Sequence, residues 1–342
     1  MSARFPVLPP DLEATLTEVG DKLARGCPLT GELDRALDLM ADLSPAKVAR
    51  AGTAIAYAAR LHPWRPMRSD AGLWLRIETG TANIEQLLRT PRLEYLFVFH
   101  LDGRVREAAL LKQAGGSPTP FLFAAVAWRL NDWVPQVRAA AVRCARRCFP
   151  ATNPEVIAGA APTLLARRWT WSRWDEEHEP LDEALDRADV AERLADLIIR
   201  LTTGPMAATL RYALRRSAID VHLERIARTA VQPSVRAVAS DTLINKRAKW
   251  PSGHAWEWID RSMGLRRRVT VFDQREVNVN QSMDALIRLA IQDRSPIVRR
   301  VAVDGVERHF LRTHEGRGYA ALLIADRSPS VRERAEFILN AR

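Results

Sequence analysis

Lysine is nearly missing from this chain. It occurs five times in 342 residues (Lys22, Lys47, Lys112, Lys246 and Lys249), so almost all of the 51 basic residues are arginine. The net charge of +10 points toward acidic partners, either nucleic acid or an anionic protein face. An Arg- and Ala-rich, Lys-poor composition also follows from GC-rich coding, so the charge by itself selects neither partner.

Cysteine is sparse as well. The three residues Cys27, Cys144 and Cys148 make no disulfide framework. Cys144 and Cys148 lie one helical turn apart on an apolar stripe, where small hydrophobes belong, and no further ligands for a metal lie nearby. No run of about 18 apolar residues occurs, and Met1-Ser2-Ala3-Arg4-Phe5-Pro6 lacks the apolar segment of a leader. The expectation is a reducing, cytoplasmic protein with no membrane segment. The 16 glycines are scattered, with only Gly115 and Gly116 adjacent, and form no phosphate-cradling loop, and no Ser-His-Asp or Cys-His arrangement is present. These gaps lead us to expect neither catalysis nor a cofactor. Strand signals are almost absent, with only Val269-Thr270-Val271-Phe272 looking β-prone, so the chain is expected to be all-α.

What the chain does have is a stretch that returns. Asp132-Trp133-Val134-Pro135-Gln136-Val137-Arg138-Ala139-Ala140-Ala141 recurs as Asp293-Arg294-Ser295-Pro296-Ile297-Val298-Arg299-Arg300-Val301-Ala302, and again from Asp326 to Ala335. Looser copies start at Gln232 and Asp102. Each reads as a helix start, in which an Asp carboxylate accepts from free N–H groups and Pro supplies a helical φ. Behind it the apolar residues follow at i, i+3, i+4 spacing: Val137, Ala140, Ala141, Cys144, Ala145, Cys148 and Phe149 in one copy, and Val298, Val301, Ala302, Gly305, Val306, His309 and Phe310 in another. The arginines act as a ruler: Arg106 to Arg138 is 32 residues and Arg299 to Arg332 is 33. A fixed period of this length marks stacked supersecondary units, and neither the tetratricopeptide nor the ankyrin pattern is present.

The D-x-x-P-x-V-R-x-x-A stretch resembles the short HEAT-like repeat, also found in phycobilisome lyases. The resemblance implies an α-solenoid of antiparallel helix pairs, with Asp and Arg of successive repeats bonded in a ladder. Here that ladder would involve Asp132, Arg138, Asp293, Arg299, Asp326 and Arg332. It should be interrupted at Arg236, which has Gln232 nearby and no Asp.

Residues 1–65 carry amphipathic helices (Leu12 to Ala24, Gly31 to Leu43, Pro45 to Leu61) without the repeat signature and are expected to form an N-terminal cap. The repeats then occupy 66–342, with irregular insertions near 169–180 and 250–280. Leu181 to Leu201 reads as one long helix.

Candidate partner-binding residues gather in and beside these insertions. Trp169, Trp171, Arg173 and Trp174 place indoles beside guanidinium groups, which can stack bases or hold a cation; the competing reading is that the rings pack onto adjacent helices under the arginine stems. Arg143 and Arg147 continue off the Asp132 helix, and Arg211, Arg215 and Arg216 form a similar stripe. Arg266-Arg267-Arg268 lies in the second insertion, close to Trp256-Glu257-Trp258. The acidic run Asp175 to Glu179 is expected to pair with nearby arginines rather than hold a metal, because adjacent residues rarely converge on one ion and His178 has no partner at i+4.

Together these features point to a non-enzymatic scaffold that binds a protein with an acidic surface, as a bacterial adaptor or immunity-type protein would. Nucleic-acid binding is the alternative. Its enzymatic extension would resemble the alkylpurine DNA glycosylases, with Trp171 and Asp175 or Trp128 and Asp132 as the candidate Trp/Asp pairs.

Overall fold

Each full copy of the recurring stretch folds as an Asp turn that leads into a helix. In the computed structural model, which describes residues 7–68, 74–167, 170–173 and 175–341, the Asp132 carboxylate accepts from the Val134 N–H at 3.0 Å. Asp293 accepts in the same way from Ser295, and Asp326 from Ser328. The prolines at 135, 233, 296 and 329 each stand first in their helix, where no N–H is missed. The chain is 64% helical, as the all-α expectation requires.

Two compact units divide the chain, residues 1–185 and 186–342. The first holds α1 (Pro10–Arg25), α2 (Glu32–Ala41), α3 (Val48–Ala58), strands β1 (Trp64–Arg68) and β2 (Trp74–Glu78), α4 (Gly80–Arg89), α5 (Glu94–Phe97), α6 (Gly103–Lys112), α7 (Pro120–Arg129), α8 (Pro135–Cys148) and α9 (Pro154–Arg167). Helix α10 (Glu179–Asp186) ends it. The second unit holds α11 (Ala188–Arg200), α12 (Met206–Ala213), α13 (Leu223–Thr229), α14 (Pro233–Asn245), strands β3 (Arg247–Asp260) and β4 (Leu265–Glu276), α15 (Met283–Ile291), α16 (Pro296–Phe310), α17 (His314–Leu323) and α18 (Pro329–Asn340). The single helix expected over 181–201 is two, because Arg187 is extended (φ −59°, ψ 132°) and α11 starts afresh behind it.

In the second unit the helices pair as α13 with α14, α15 with α16 and α17 with α18, and the later member of each pair stacks on the next, α14 on α16 on α18. In the first unit α6 and α8 stack in the same way. The stripe from Val137 to Phe149 is buried throughout. In α16 the buried residues are Val298, Ala302, Val303, Gly305 and Val306, while His309 is exposed, so that stripe is one turn shorter than expected. Gly305 matters for the stacking, because a Cβ there would stand 2.6 Å from the Ile244 side chain of α14. Trp128 lies toward α3, where its ring and that of Phe99 crowd the Cα of Gly52.

Arginines cross the seams between repeats, each reaching forward to the next turn. Arg106 Nε and Nη2 donate to both oxygens of Asp132 at 3.1 and 3.0 Å. Arg236 holds Asp293 at 2.7 and 2.9 Å, and Arg299 holds Asp326 at 2.5 and 2.9 Å. The remaining Nη1 turns back to carbonyls of its own turn: His100 and Leu101 for Arg106, Ala230 and Val231 for Arg236, Asp293 for Arg299. The expected interruption at Arg236 does not occur, because its acceptor lies ahead of it in the chain. Gln232 instead donates to the carbonyls of Leu201 and Thr203.

The Asp of each full copy stands six residues before its Arg. In the Arg106 copy that position is His100 rather than Asp102, and in the Arg236 copy it is Ala230. His100 takes over the turn before the helix: its Nδ1 accepts from the Asp102 N–H at 2.9 Å, two residues on, as an Asp carboxylate would. Asp102 itself caps α6 by accepting from the Arg104 N–H. Arg138 also departs from the pattern, finding Glu177 of the 169–180 segment at 3.0 Å as its forward partner.

Two guanidinium groups share Asp132. Arg129 Nη1 donates to it at 2.9 Å, so both carboxylate oxygens sit between Arg106 and Arg129. The side chains of Asp132, Arg106 and Arg129 are 0, 4 and 9% exposed. Burial would push Asp132 up, but Arg129, the Val134 N–H and Arg106 outweigh it and hold the carboxyl below its ordinary value. Burial, with the Arg106 charge adding to it, lowers Arg129 to about 10.

A candidate binding arm

The segment 250–280, expected to be irregular, is mostly a long two-stranded antiparallel ribbon. Strand β3 pairs with β4 from Arg247↔Glu276 at the base to Asp260↔Leu265 at the tip. The turn is built by Asp260, whose carboxylate accepts from the N–H groups of Ser262 and Met263 and from the Ser262 hydroxyl, while Gly264 takes the left-handed φ of +66° that closes it. At the base, Lys246 ends α14 at φ +52°, Ala248 and Val277 are buried, and β3 lies against α12 and α14. Arg275 ties β4 down. Its Nη1 and Nη2 donate to the Asp220 carboxylate at 2.7 and 2.6 Å, its Nε to Leu214 O, and Nη2 also to Arg216 O.

The insertion leaves the ladder intact. Arg236 and Asp293 are 57 residues apart, against 26 and 27 for the other two rungs, and the excess is the length of Arg247–Glu276.

Side chains alternate between the faces of a strand, and the register sorts this ribbon into two unlike faces. On one, Trp258 stands opposite Arg266, Trp256 opposite Arg268, His254 opposite Thr270 and Pro251 opposite Phe272. Its one carboxylate, Glu276, lies at the base opposite Arg247, and none falls between there and the tip. On the other, Glu257 stands opposite Arg267 and binds it at 2.7 Å, and Asp273 stands opposite Trp250. The charge of the second face is thus largely internal, whereas the first presents its cations outward. Arg266 lies 4.5 Å above the ring of Trp256, and neither Arg266 nor Arg268 has a carboxylate within ion-pair reach among the described residues.

The tip is apolar and wet. Trp256 and Trp258 are 59 and 50% exposed, and Ile259, Met263 and Leu265 are exposed around the turn. An isolated two-stranded hairpin is marginal in water, and a contiguous exposed apolar patch marks a surface that something covers.

The other candidate residues lie elsewhere. Trp169 and Trp174 fall outside the described residues. Trp171 is buried, in line with the reading that its ring packs inward. The Arg173 N–H donates to the Asn131 side chain. Arg147 turns its guanidinium onto the carbonyls of Leu110, Leu111 and Gln113 at the end of α6, and Arg143 is exposed on α8. Arg216 is held by Asp186 at 2.7 Å. The acidic run pairs with arginines, as Glu177 with Arg138 and Glu179 with Arg146. Contrary to expectation, His178 does have a partner at i+4, Asp182, 3.0 Å away. No group of three potential metal ligands occurs among the described residues. Of the proposed Trp/Asp pairs, Asp132 has both oxygens engaged by arginines, and Asp175 is exposed with Trp171 turned inward.

Sequence reasoning placed Arg266, Arg267 and Arg268 in the site but left out Trp256, Trp258, Ile259, Met263, Leu265 and Phe272. The available signal was Trp-x-Trp at period two, set across a four-residue Gly-containing turn from a strand-prone run. No helix among the described residues is long and apolar enough to cross a membrane. No family model matches this chain, and no curated protein is similar to it.

Proposed function

We propose that this protein is a HEAT-like repeat scaffold that grips a protein partner with an acidic surface, using the β3–β4 ribbon as its gripping element. The observation that carries the reading is the composition of the tip: exposed Trp256, Trp258, Ile259, Met263 and Leu265, flanked by Arg266 and Arg268, which have no carboxylate partner among the described residues. Trp, Met and Arg are the residues enriched at protein interfaces, and a few buried aromatic or Arg anchors carry most of the binding energy. Carboxylates on the partner would match the outer part of the first face, which carries none. A non-enzymatic bacterial adaptor or immunity-type role in the cytoplasm accords with such a surface.

One observation favours nucleic acid instead. A two-stranded ribbon has the width to enter a DNA major groove, and arginines on one face could reach base edges or phosphates. The wet aliphatic tip weighs against it, since Ile259, Met263 and Leu265 have nothing to bond to there.

Affinity capture from the native host, followed by titration of the purified partner, tests the reading. Arg266→Glu with Arg268→Glu, and separately Trp256→Ala with Trp258→Ala, should each weaken binding at least tenfold. Undiminished binding by both variants would reject it. A shift of duplex DNA at low salt, lost in the charge variant and with added salt, would transfer the arm to the second reading.

A further inference from the structure

We propose that the outer edge of β4 receives a third strand, contributed by an extended acidic segment of the partner. The inference rests on the reading of the ribbon as the binding element and adds the mode of binding.

The two edges of the ribbon are unlike. Strand β3 is interrupted twice, by register shifts between Pro251 and Gly253 and between Trp258 and Asp260, which leave Ser252 and Ile259 with no residue opposite. Pro251 has no N–H to offer, and bulges and prolines are the common means of blunting an edge. Strand β4 has none of these. Leu265–Glu276 runs for 12 residues without proline, glycine or an unpaired residue, and its centre, Val269-Thr270-Val271-Phe272, consists of strand-favouring side chains. The ribbon is a two-stranded sheet, so the outward N–H and C=O groups of β4 have no strand beside them. A regular, uncovered edge is a template for strand addition.

Charge selects the occupant. Arg266, Arg267 and Arg268 fall consecutively, and Arg267 already holds Glu257. Arg266 and Arg268 remain, two residues apart on the face whose outer part carries no carboxylate. A strand laid beside them would gain from carboxylates at alternate positions, because side chains on neighbouring strands interact across the pair. On the opposite face its other side chains would lie beside Val269 and Val271, where β-branched residues fit. The segment is therefore one that alternates acidic with β-branched residues over about 7 positions, or about 23 Å at strand spacing. A second copy of this chain is a poor occupant in parallel register, since like arginines would face one another.

A labelled nine-residue peptide alternating glutamate with valine or threonine serves as the probe, with the full-length protein and fluorescence anisotropy as the readout. Two control peptides carry N-methyl groups on the odd or on the even amides. Each set blocks one edge of the peptide and leaves the charges unchanged. The parent peptide should bind, one control should bind as well as the parent, and the other should weaken at least tenfold. Hydrogen exchange should slow at alternate amides of β4 between residues 266 and 272. Failure of the parent to bind, equal behaviour of the two controls, or unchanged exchange along β4 would each overturn the proposal. So would a peptide-independent dimer that protects the same amides. If the edge fails while the Arg266/Arg268 variant still loses the captured protein, only this inference falls. If that variant and the Trp256/Trp258 variant both keep the protein, the reading of the arm falls with it.

Discussion

Arginine does opposite work in the seams between repeats and on the ribbon. In the seams, Arg106, Arg236 and Arg299 each lay a planar fork against a carboxylate and send the third nitrogen back to their own turn. That geometry suits arginine and no other cation. On the ribbon, Arg266 and Arg268 stand in water beside exposed indoles. Overall charge therefore says little about partners here. What distinguishes a structural from an available arginine is whether the fold brings a carboxylate or backbone carbonyls within its reach.

The sharpest way to break this contrast is at Asp132. Replacing it with Ala leaves two buried guanidinium groups unpaired and should cost about 3–5 kcal/mol in urea unfolding, whereas Arg266→Ala should change stability by less than about 0.5 kcal/mol. Equal losses would erase the distinction.

Acid gives the next largest effect, through His100 at the ladder position where the full copies carry Asp. Burial, with Arg106 adding to it and Asp102 opposing, pushes this imidazole down to about 4. Its Nδ1 is committed as an acceptor and the amide of Asn83 lies 2.9 Å from Nε2. The folded-state value lies below the ordinary 6.5, so the unfolded chain takes up the proton first. Stability is complete above about pH 6.5 and declines as pH falls, by about 3 kcal/mol, levelling near pH 4. His100→Gln should flatten that portion of a stability–pH curve. A second decline, below about pH 3.8, belongs to Asp132, Asp293 and Asp326, whose carboxyls are held low, and should survive the substitution. The smallest effect expected in the helical stack is at Gly305. Its Ala variant crowds Ile244 but gains helix propensity, so a net loss of about 1 kcal/mol is expected in the same unfolding assay.

The helical part of this fold was legible because its signal repeats. Equal spacing of Arg106 and Arg138, and of Arg299 and Arg332, together with apolar stripes behind them, is enough to infer helix pairs. Direction was not legible. Asp132 and Arg138 are close in sequence, yet Arg138 bonds to the Asp132 carbonyl, while the carboxylate serves the preceding repeat. For the same reason the missing Asp near Arg236 looked like a defect and is not one. The ribbon escaped because β3 has the composition of a loop, with Pro251, Ser252, Gly253 and scattered tryptophans. Its pairing depends on β4, whose strand-prone core spans only four residues. The site followed the strands: without a register, Trp256 and Arg268 are merely two residues twelve apart.

The rung from Arg236 to Asp293 encloses about twice the length of chain that its neighbours do. For a slack tether, doubling the enclosed length adds about 0.6 kcal/mol of closure entropy. Because Arg247 and Glu276 face each other at the ribbon's foot, the detour returns to where it left, and the helices on either side meet as though it were a short turn. Beyond its anchored base the ribbon can therefore lengthen, shorten or change its residues with little effect on the stacking beneath. It resembles an interchangeable tool head on a fixed handle.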